Sequence, residues 1–306
     1  MEIGLIGLGK MGFNLALNMV EKGHRVVAYN RSPEKTKKAE TRGIGGAYSL
    51  PELVAGLVPP RVIWLMLPAG SPVEEMLSGL VPLLAPGDTI IDGGNSDYRD
   101  TLRRARDLQA KGINFVDAGT SGGTEGARRG ACLMVGAAEE VFSRLKPLFR
   151  DLSVPGGYLH TGPPGSGHFV KMVHNGIEYG MLQAIGEGFE ILARGPFPLN
   201  LPEIARVWEH GSVIRGWLME LTARALAKDA RLEKIKGVVH SSGEGRWAVE
   251  TALALGVPAP VTAAALFMRY RSEQEESFAG KVVAALRYEF GGHEAEKAGS
   301  FDHAQK

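Results

Sequence analysis

"MEIGLIGLGKMG", residues 1–12, decides the fold. A short apolar, β-rich run leads directly into Gly7, Gly9 and Gly12, a G-x-G-x-x-G that opens a helix, and a second β-rich run, "HRVVAYN", follows at 24–30. A glycine pattern alone carries little weight. Between a strand and a helix, within a βαβ unit, it reads as the phosphate-binding turn of a dinucleotide fold. The glycines allow a tight turn and a close backbone approach to a pyrophosphate, which then lies at the positive end of the helix dipole. The expected cofactor contacts here are Gly7, Leu8, Gly9, Lys10, Met11 and Gly12.

The second strand ends in Asn30, Arg31 and Ser32, where NAD-binding chains usually place an acid on the ribose hydroxyls. A carboxylate would repel a 2′-phosphate, whereas Arg31 can pair with one and Asn30 and Ser32 can donate hydrogen bonds to it. NADP is therefore the expected cofactor, with NAD the second choice. Ser32, Pro33 and Glu34 read as N-cap, first-turn proline and first-turn acid of the next helix. By position alone, "LPAG" at 67–70 (Leu67, Pro68, Ala69) is expected to line the cofactor crevice.

Further along, "RVIWLMLP", "DTIIDGG" and "INFVDAG" alternate with helical stretches, which argues for a parallel sheet with helices on both faces. From His168 onward no strand is expected. Helices broken by "RGPFPLNLPE", "HSSGEG" and "LGVPAPV" fill the rest. The fold class is thus α/β, an N-terminal Rossmann-type doubly wound sheet followed by an all-α C-terminal domain. The expected division is 1–163 for cofactor binding and 164–306 for substrate binding and oligomerisation.

The 306 residues carry a formal charge of +1, with no basic block to suggest nucleic acid or a membrane surface. A small molecule is the expected partner. The single cysteine, Cys132, suits a reducing compartment and reads as a buried apolar side chain. No His-x-x-x-His or Cys-x-x-Cys occurs, so no metal site is expected. The N-terminus lacks the pattern of an export signal and no apolar run is long enough to span a bilayer, so the expected location is cytoplasmic.

In "KMVHNGIEYG", 171–180, Lys171, His174, Asn175 and Glu178 fall on one helical face at i, i+3, i+4 and i+7. Val170, Val173, Ile177 and Met181 make the other sides apolar, so the helix is expected to be buried nearly all round. Charged groups in such a helix are costly unless they pair or line a cleft, which makes them a candidate site. "DGGNS" at 92–96, with Asn95, and "DAGTSGG" at 117–123, with Ser121, Gly122 and Gly123, end strands where ligands are met. The latter could form an anion-binding nest or a plain turn.

Taken in order, G-L-G-x-M-G, N-R-S, D-G-G-N-S, S-G-G and K-x-x-H-N-x-x-E-Y resemble the decarboxylating 6-phosphogluconate dehydrogenases of the β-hydroxyacid dehydrogenase superfamily, in a short form without a second helical repeat. The resemblance implies oxidation of 6-phospho-D-gluconate to D-ribulose 5-phosphate and carbon dioxide in the pentose phosphate pathway. It implies Lys171 as the base for the C3 hydroxyl, Glu178 as the acid that protonates C1, and substrate binding by Asn95, Ser121, Gly122, Gly123, His174, Asn175 and Tyr179, the last on phosphate. Asn95 could also orient the nicotinamide. "RYEFGGH", 287–293, resembles the family's tail, which in the long enzymes enters the partner's site; it adds Arg287 and His293, and a homo-oligomer, dimer or tetramer, follows by analogy. In "SSGEGRW", 241–247, Ser242 and Glu244 stand where the long form has a phosphate-binding lysine and threonine. Arg246, Arg269 and Arg287 remain as phosphate cations, Arg269 and Arg287 matching the family better. The rival reading is a 3-hydroxyisobutyrate dehydrogenase or related enzyme without decarboxylation. Such enzymes resemble K-x-x-N-N on this helix and lack the Glu178-Tyr179 pair.

Overall fold

The computed structural model describes residues 1–291. In chain order the strands are β1 (Glu2–Ile6), β2 (Arg25–Tyr29), β3 (Gly45–Ala47), β4 (Val62–Leu65), β5 (Thr89–Asp92), β6 (Asn114–Ser121), β7 (Ala131–Gly136) and β8 (Ser153–Gly162). The helices among them are α1 (Lys10–Glu21), α2 (Pro33–Glu40), α3 (Leu50–Ala55), α4 (Ser71–Leu80), α5 (Tyr98–Gln109), α6 (Gly123–Arg129) and α7 (Glu139–Leu152). Then come α8 (Ser166–Arg194), α9 (Leu201–Glu209), α10 (Trp217–Lys228), α11 (Glu244–Leu255), α12 (Pro260–Ser272) and α13 (Phe278–Gly291).

The strands form one sheet in the order β3-β2-β1-β4-β5-β6-β7-β8, all neighbours parallel except β6 and β7. Strands buried on both faces have nearly continuous apolar sequences, as "VIWL" of β4 and "IGLI" of β1 do. One core lies between the sheet and α1, α6 and α7, built on Leu15, Met19, Ala127, Phe142, Leu145 and Phe149. The opposite core joins the sheet to α3, α4 and α5 through Leu53, Val73, Leu77 and Leu108. The chain order reverses between β1 and β4, and at such a switch point the carboxyl ends of the strands open a crevice. This is the expected doubly wound fold, followed, among the described residues, by helices alone.

Two compact units result, one of residues 1–181 with 243–262, the other of 182–242 with residues from 263 onward. The first half of α8 therefore packs with the sheet, together with α11. In the second unit Ala205, Met219 and Leu226 of α9 and α10 form a small core, with Phe189 edge-on to Trp208 at 5.5 Å.

The burial of α8 reverses the expectation. Its buried residues are Gly167, His168, Lys171, Met172, Asn175, Gly176, Tyr179 and Gly180, whereas Val170, Val173, Ile177 and Met181 are exposed. Lys171 and Asn175 of the polar stripe face inward and bond to one another, His174 and Glu178 stand at its partly exposed edge, and the apolar stripe faces outward. No described helix is long and apolar enough to cross a membrane.

Candidate active site

Each glycine of the first turn has its own steric reason. Gly7 has φ 102°, and a Cβ there would lie 2.4 Å from the Met66 carbonyl oxygen; one on Gly12 would lie 1.9 Å from the Gly7 carbonyl oxygen. A Cβ on Gly9 would meet nothing within 4 Å. The turn is thus closed against β4 and α1 on one side and open at Gly9, which begins α1 without a side-chain cap. Uncapped helix N–H groups beside an open backbone suit a pyrophosphate, so the residues present fit a dinucleotide.

Asn30 serves this turn as well as any ligand. Its Oδ1 accepts from Leu8 N–H at 2.9 Å and its Nδ2 donates to the Ser32 carbonyl at 3.2 Å. The expected donation to a 2′-phosphate is left to its second amide hydrogen, and the Leu8 N–H is already used. Arg31 is exposed, and Ser32 caps α2 by backbone only, its hydroxyl making no cap bond. Leu67, Pro68 and Ala69 follow β4 beside the crevice, and a Cβ on Gly94 would lie 2.6 Å from the Leu67 carbonyl oxygen. The β5 turn is pinned by Asp92, which accepts from Gly94 N–H at 3.1 Å and Ser96 Oγ at 2.7 Å and faces Arg104 at 3.5 Å. Asn95, between those residues, is exposed.

On α8, Lys171 Nζ donates to Asn175 Oδ1 at 2.7 Å and lies 3.4 Å from His174 Nδ1. His174 Nδ1 is 3.1 Å from the same Asn175 oxygen, and its Nε2 is 3.1 Å from Ser121 Oγ. Both ring nitrogens therefore have partners, Nδ1 between the Asn175 oxygen and the Lys171 amine and Nε2 at the Ser121 hydroxyl. Glu178 reaches His174 Nδ1 at 3.9 Å with its own side chain 41% exposed, leaving it open to a ligand. Burial pushes the Lys171 ammonium below the ordinary lysine range, opposed by the charges of Glu178, Glu244 and Cys132. Burial of this kind makes the neutral, proton-accepting amine easier to reach.

The structure thus brings Lys171, His174, Asn175, Glu178 and Ser121 together. Gly122 and Gly123 follow Ser121 with φ 115° and 58°, so both are left-handed, and Gly123 lies open. Tyr179 is buried, its ring so close to Gly245 that a Cβ there would lie 2.3 Å away. That contact sets the start of α11, where Glu244, 6% exposed, is a second carboxylate in the field of Lys171. Sequence reasoning placed Glu244 at a phosphate and missed this role. Cys132 corrects another expectation, for it is exposed: it stands opposite Ser121 in the register of β6 and β7, on a strand whose other residues are buried. In the second unit Arg269 donates to the His240 carbonyl at 3.2 Å and Arg287 is exposed on α13; His293 lies outside the described residues. Among the described residues no group of three or more His, Cys, Asp or Glu could hold a metal ion.

Comparison with known proteins matches residues 2–161 to the NAD binding domain of 6-phosphogluconate dehydrogenase and residues 167–301 to its C-terminal domain. The chain belongs to the 6-phosphogluconate dehydrogenase family. Bacillus subtilis YqeC, whose name assigns this activity only provisionally, is 54% identical over 97% of this chain and 100% of its own length. A Haloferax volcanii relative named as an NAD(+)-dependent, decarboxylating 6-phosphogluconate dehydrogenase is 41% identical over 96% of this chain and 98% of its own. The Plasmodium falciparum 6-phosphogluconate dehydrogenase structure, described in apo form and with NADP+ and 6-phosphogluconate, superposes with a TM-score of 0.82 at 32% identity. It covers 99% of this chain and 67% of the other. This member therefore has an NAD(P)-binding domain followed by the family's helical C-terminal domain.

Proposed function

We propose that this chain oxidises 6-phospho-D-gluconate and decarboxylates the product to D-ribulose 5-phosphate and carbon dioxide, using NADP, in the cytoplasm. The observation that carries the reading is the cluster of Lys171, His174, Asn175 and Glu178 along one face of α8. A nicotinamide nucleotide held at the turn of Gly7, Gly9 and Gly12 would supply the acceptor for the hydride from C3. Lys171 removes the C3 hydroxyl proton and, once protonated, polarises the new ketone; carbon dioxide leaves as the C1–C2 electrons flow into that carbonyl, giving an enediol. Glu178, half-exposed at the cluster's edge, then protonates the former C2, which becomes C1 of the ketopentose. Ser121, Gly122, Gly123, His174, Asn175 and Asn95 orient hydroxyls, and Tyr179, Arg269, Arg287 and His293 serve the phosphate end. A carboxylate donor is needed only where decarboxylation leaves a carbanion, and this distinguishes the reading from a 3-hydroxyisobutyrate dehydrogenase.

NADP is favoured because Arg31 is exposed and no carboxylate stands at the end of β2; NAD, named for the Haloferax relative, is the second choice. In this reading residues 1–163 bind cofactor and 164–306 bind substrate and assemble a homo-oligomer through surfaces such as the exposed apolar stripe of α8. The test is initial-rate reduction of NADP and NAD with 6-phosphogluconate, gluconate and 3-hydroxyisobutyrate, with carbon dioxide trapped. One carbon dioxide per reduced NADP from 6-phosphogluconate is expected. Reduction with 3-hydroxyisobutyrate and no carbon dioxide would overturn the assignment of Glu178.

A further inference from the structure

Asp117, in the middle of β6, is wholly buried, and a carboxylate in such a place is costly unless its oxygens are bonded. Its Oδ1 accepts from Gly165 N–H at 2.6 Å and its Oδ2 from His168 N–H at 2.7 Å. Both donors belong to the start of α8, where helix N–H groups have no partner within the helix. The cap of α8 therefore comes from a strand distant in sequence. His168 also holds Thr101 Oγ1 of α5 through Nδ1 at 2.7 Å.

Three glycines let this turn sit directly on the sheet. A Cβ on Gly167 would lie 2.5 Å from the Met134 carbonyl oxygen, and one on Gly136 would lie 2.4 Å from Asp117 Oδ1. A Cβ on Gly119 would lie 2.5 Å from Cβ of Lys171 itself. Close-packed backbone of this kind leaves little freedom for sliding. Lys171 follows His168 by less than one helical turn, and Ser121, the His174 partner, lies four residues beyond Asp117 on β6. One carboxylate thus ties the strand that delivers Ser121 to the helix that delivers Lys171.

We infer that Asp117 is a positioning residue: by capping α8 from β6 it fixes the height of Lys171 above the sheet and its alignment with Ser121. This inference rests on reading Lys171 as the base. Asp117→Asn keeps the shape but turns an amide N–H₂ toward one backbone donor and removes the charge. A displacement of about 1 Å at a reacting group costs on the order of a hundredfold in rate. The expected result is a kcat for 6-phosphogluconate about ten- to a hundredfold lower, with KM for NADP within about twofold of wild type.

The second readout needs no substrate. The pH dependence of Lys171 acylation, followed by peptide mass spectrometry well below the melting temperature, should shift toward that of an ordinary lysine as the loosened turn admits water. Gly119→Ala leaves Asp117 and its bonds in place and pushes Lys171 directly, so it is the control that shows how far kcat falls when Lys171 moves; Asp117→Ser, which can still accept one of the two N–H bonds, is the second Asp117 variant and carries the test if Asp117→Asn does not fold. A kcat within about twofold of wild type and an unmoved acylation profile, in whichever of the two Asp117 variants fold, would reduce Asp117 to a purely structural residue. If the wild type shows no 6-phosphogluconate turnover, the catalytic reading fails, while the acylation profiles still decide whether Asp117 positions Lys171.

Discussion

Lys171 holds a charge in a place that disfavours it, and its neighbours oppose that penalty without removing it. Burial depresses its proton affinity, while Glu178, Glu244 and Cys132 raise it; His174 at 3.4 Å and Asn175 at 2.7 Å complete the surroundings. In the proposed reaction, oxidation needs the neutral amine and the decarboxylation that follows needs the ammonium. On that reading kcat/KM should be bell-shaped. Glu244→Gln removes one upward influence, so the Lys171 affinity falls, the neutral amine persists to lower pH, and the acidic limb of kcat/KM moves down. A pH–rate profile of the variant beside wild type checks this; an upward or absent displacement would mean that Glu244 does not act on Lys171.

Among the elements, the glycine turn has the least room for change. Gly12→Ala would set a methyl 1.9 Å from the Gly7 carbonyl oxygen, a clash of backbone with backbone that no rotamer relieves. The expected cost is about 1–3 kcal/mol of stability, read by urea denaturation, with NADPH affinity at least about tenfold weaker by fluorescence titration. This element was legible in the sequence because its determinants are local: β1, the three glycines and β2 occupy residues 2–29. The polar face of α8 was legible for the same reason, since helical spacing brings Lys171, His174, Asn175 and Glu178 together. Which side of α8 is buried was not, because a pattern gives two faces and only the sheet chooses between them. β3, three residues of "GGA", offers too short a run to show alternation. Asp117 and Asp92 pair in register on adjacent strands, and the partners that make their burial tolerable come from α5, α8 and the loops before them. Spacing along one strand does not reveal such contacts, although a carboxylate within an apolar strand was itself a signal.

At the scale of the whole molecule, the outward stripe of α8 raises the question of what covers it. Val170, Val173, Ile177 and Met181 are 38%, 42%, 59% and 50% exposed, on one side of the helix whose other side carries the proposed catalytic cluster. Contiguous apolar surface of this kind usually marks an association face. A second copy of the chain is the occupant consistent with the homo-oligomer proposed above. Ile177→Asp places a carboxylate in the middle of that stripe without touching Lys171 or its partners. Burying an unpaired charge there would cost several kcal/mol, enough to shift an association equilibrium by a hundredfold or more. Light scattering should give a multiple of 32.8 kDa for the wild type and a mass near 32.8 kDa for the variant at the same concentration. The melting temperature should depend on protein concentration only in the former. An unchanged mass would remove this stripe from the assembly surface.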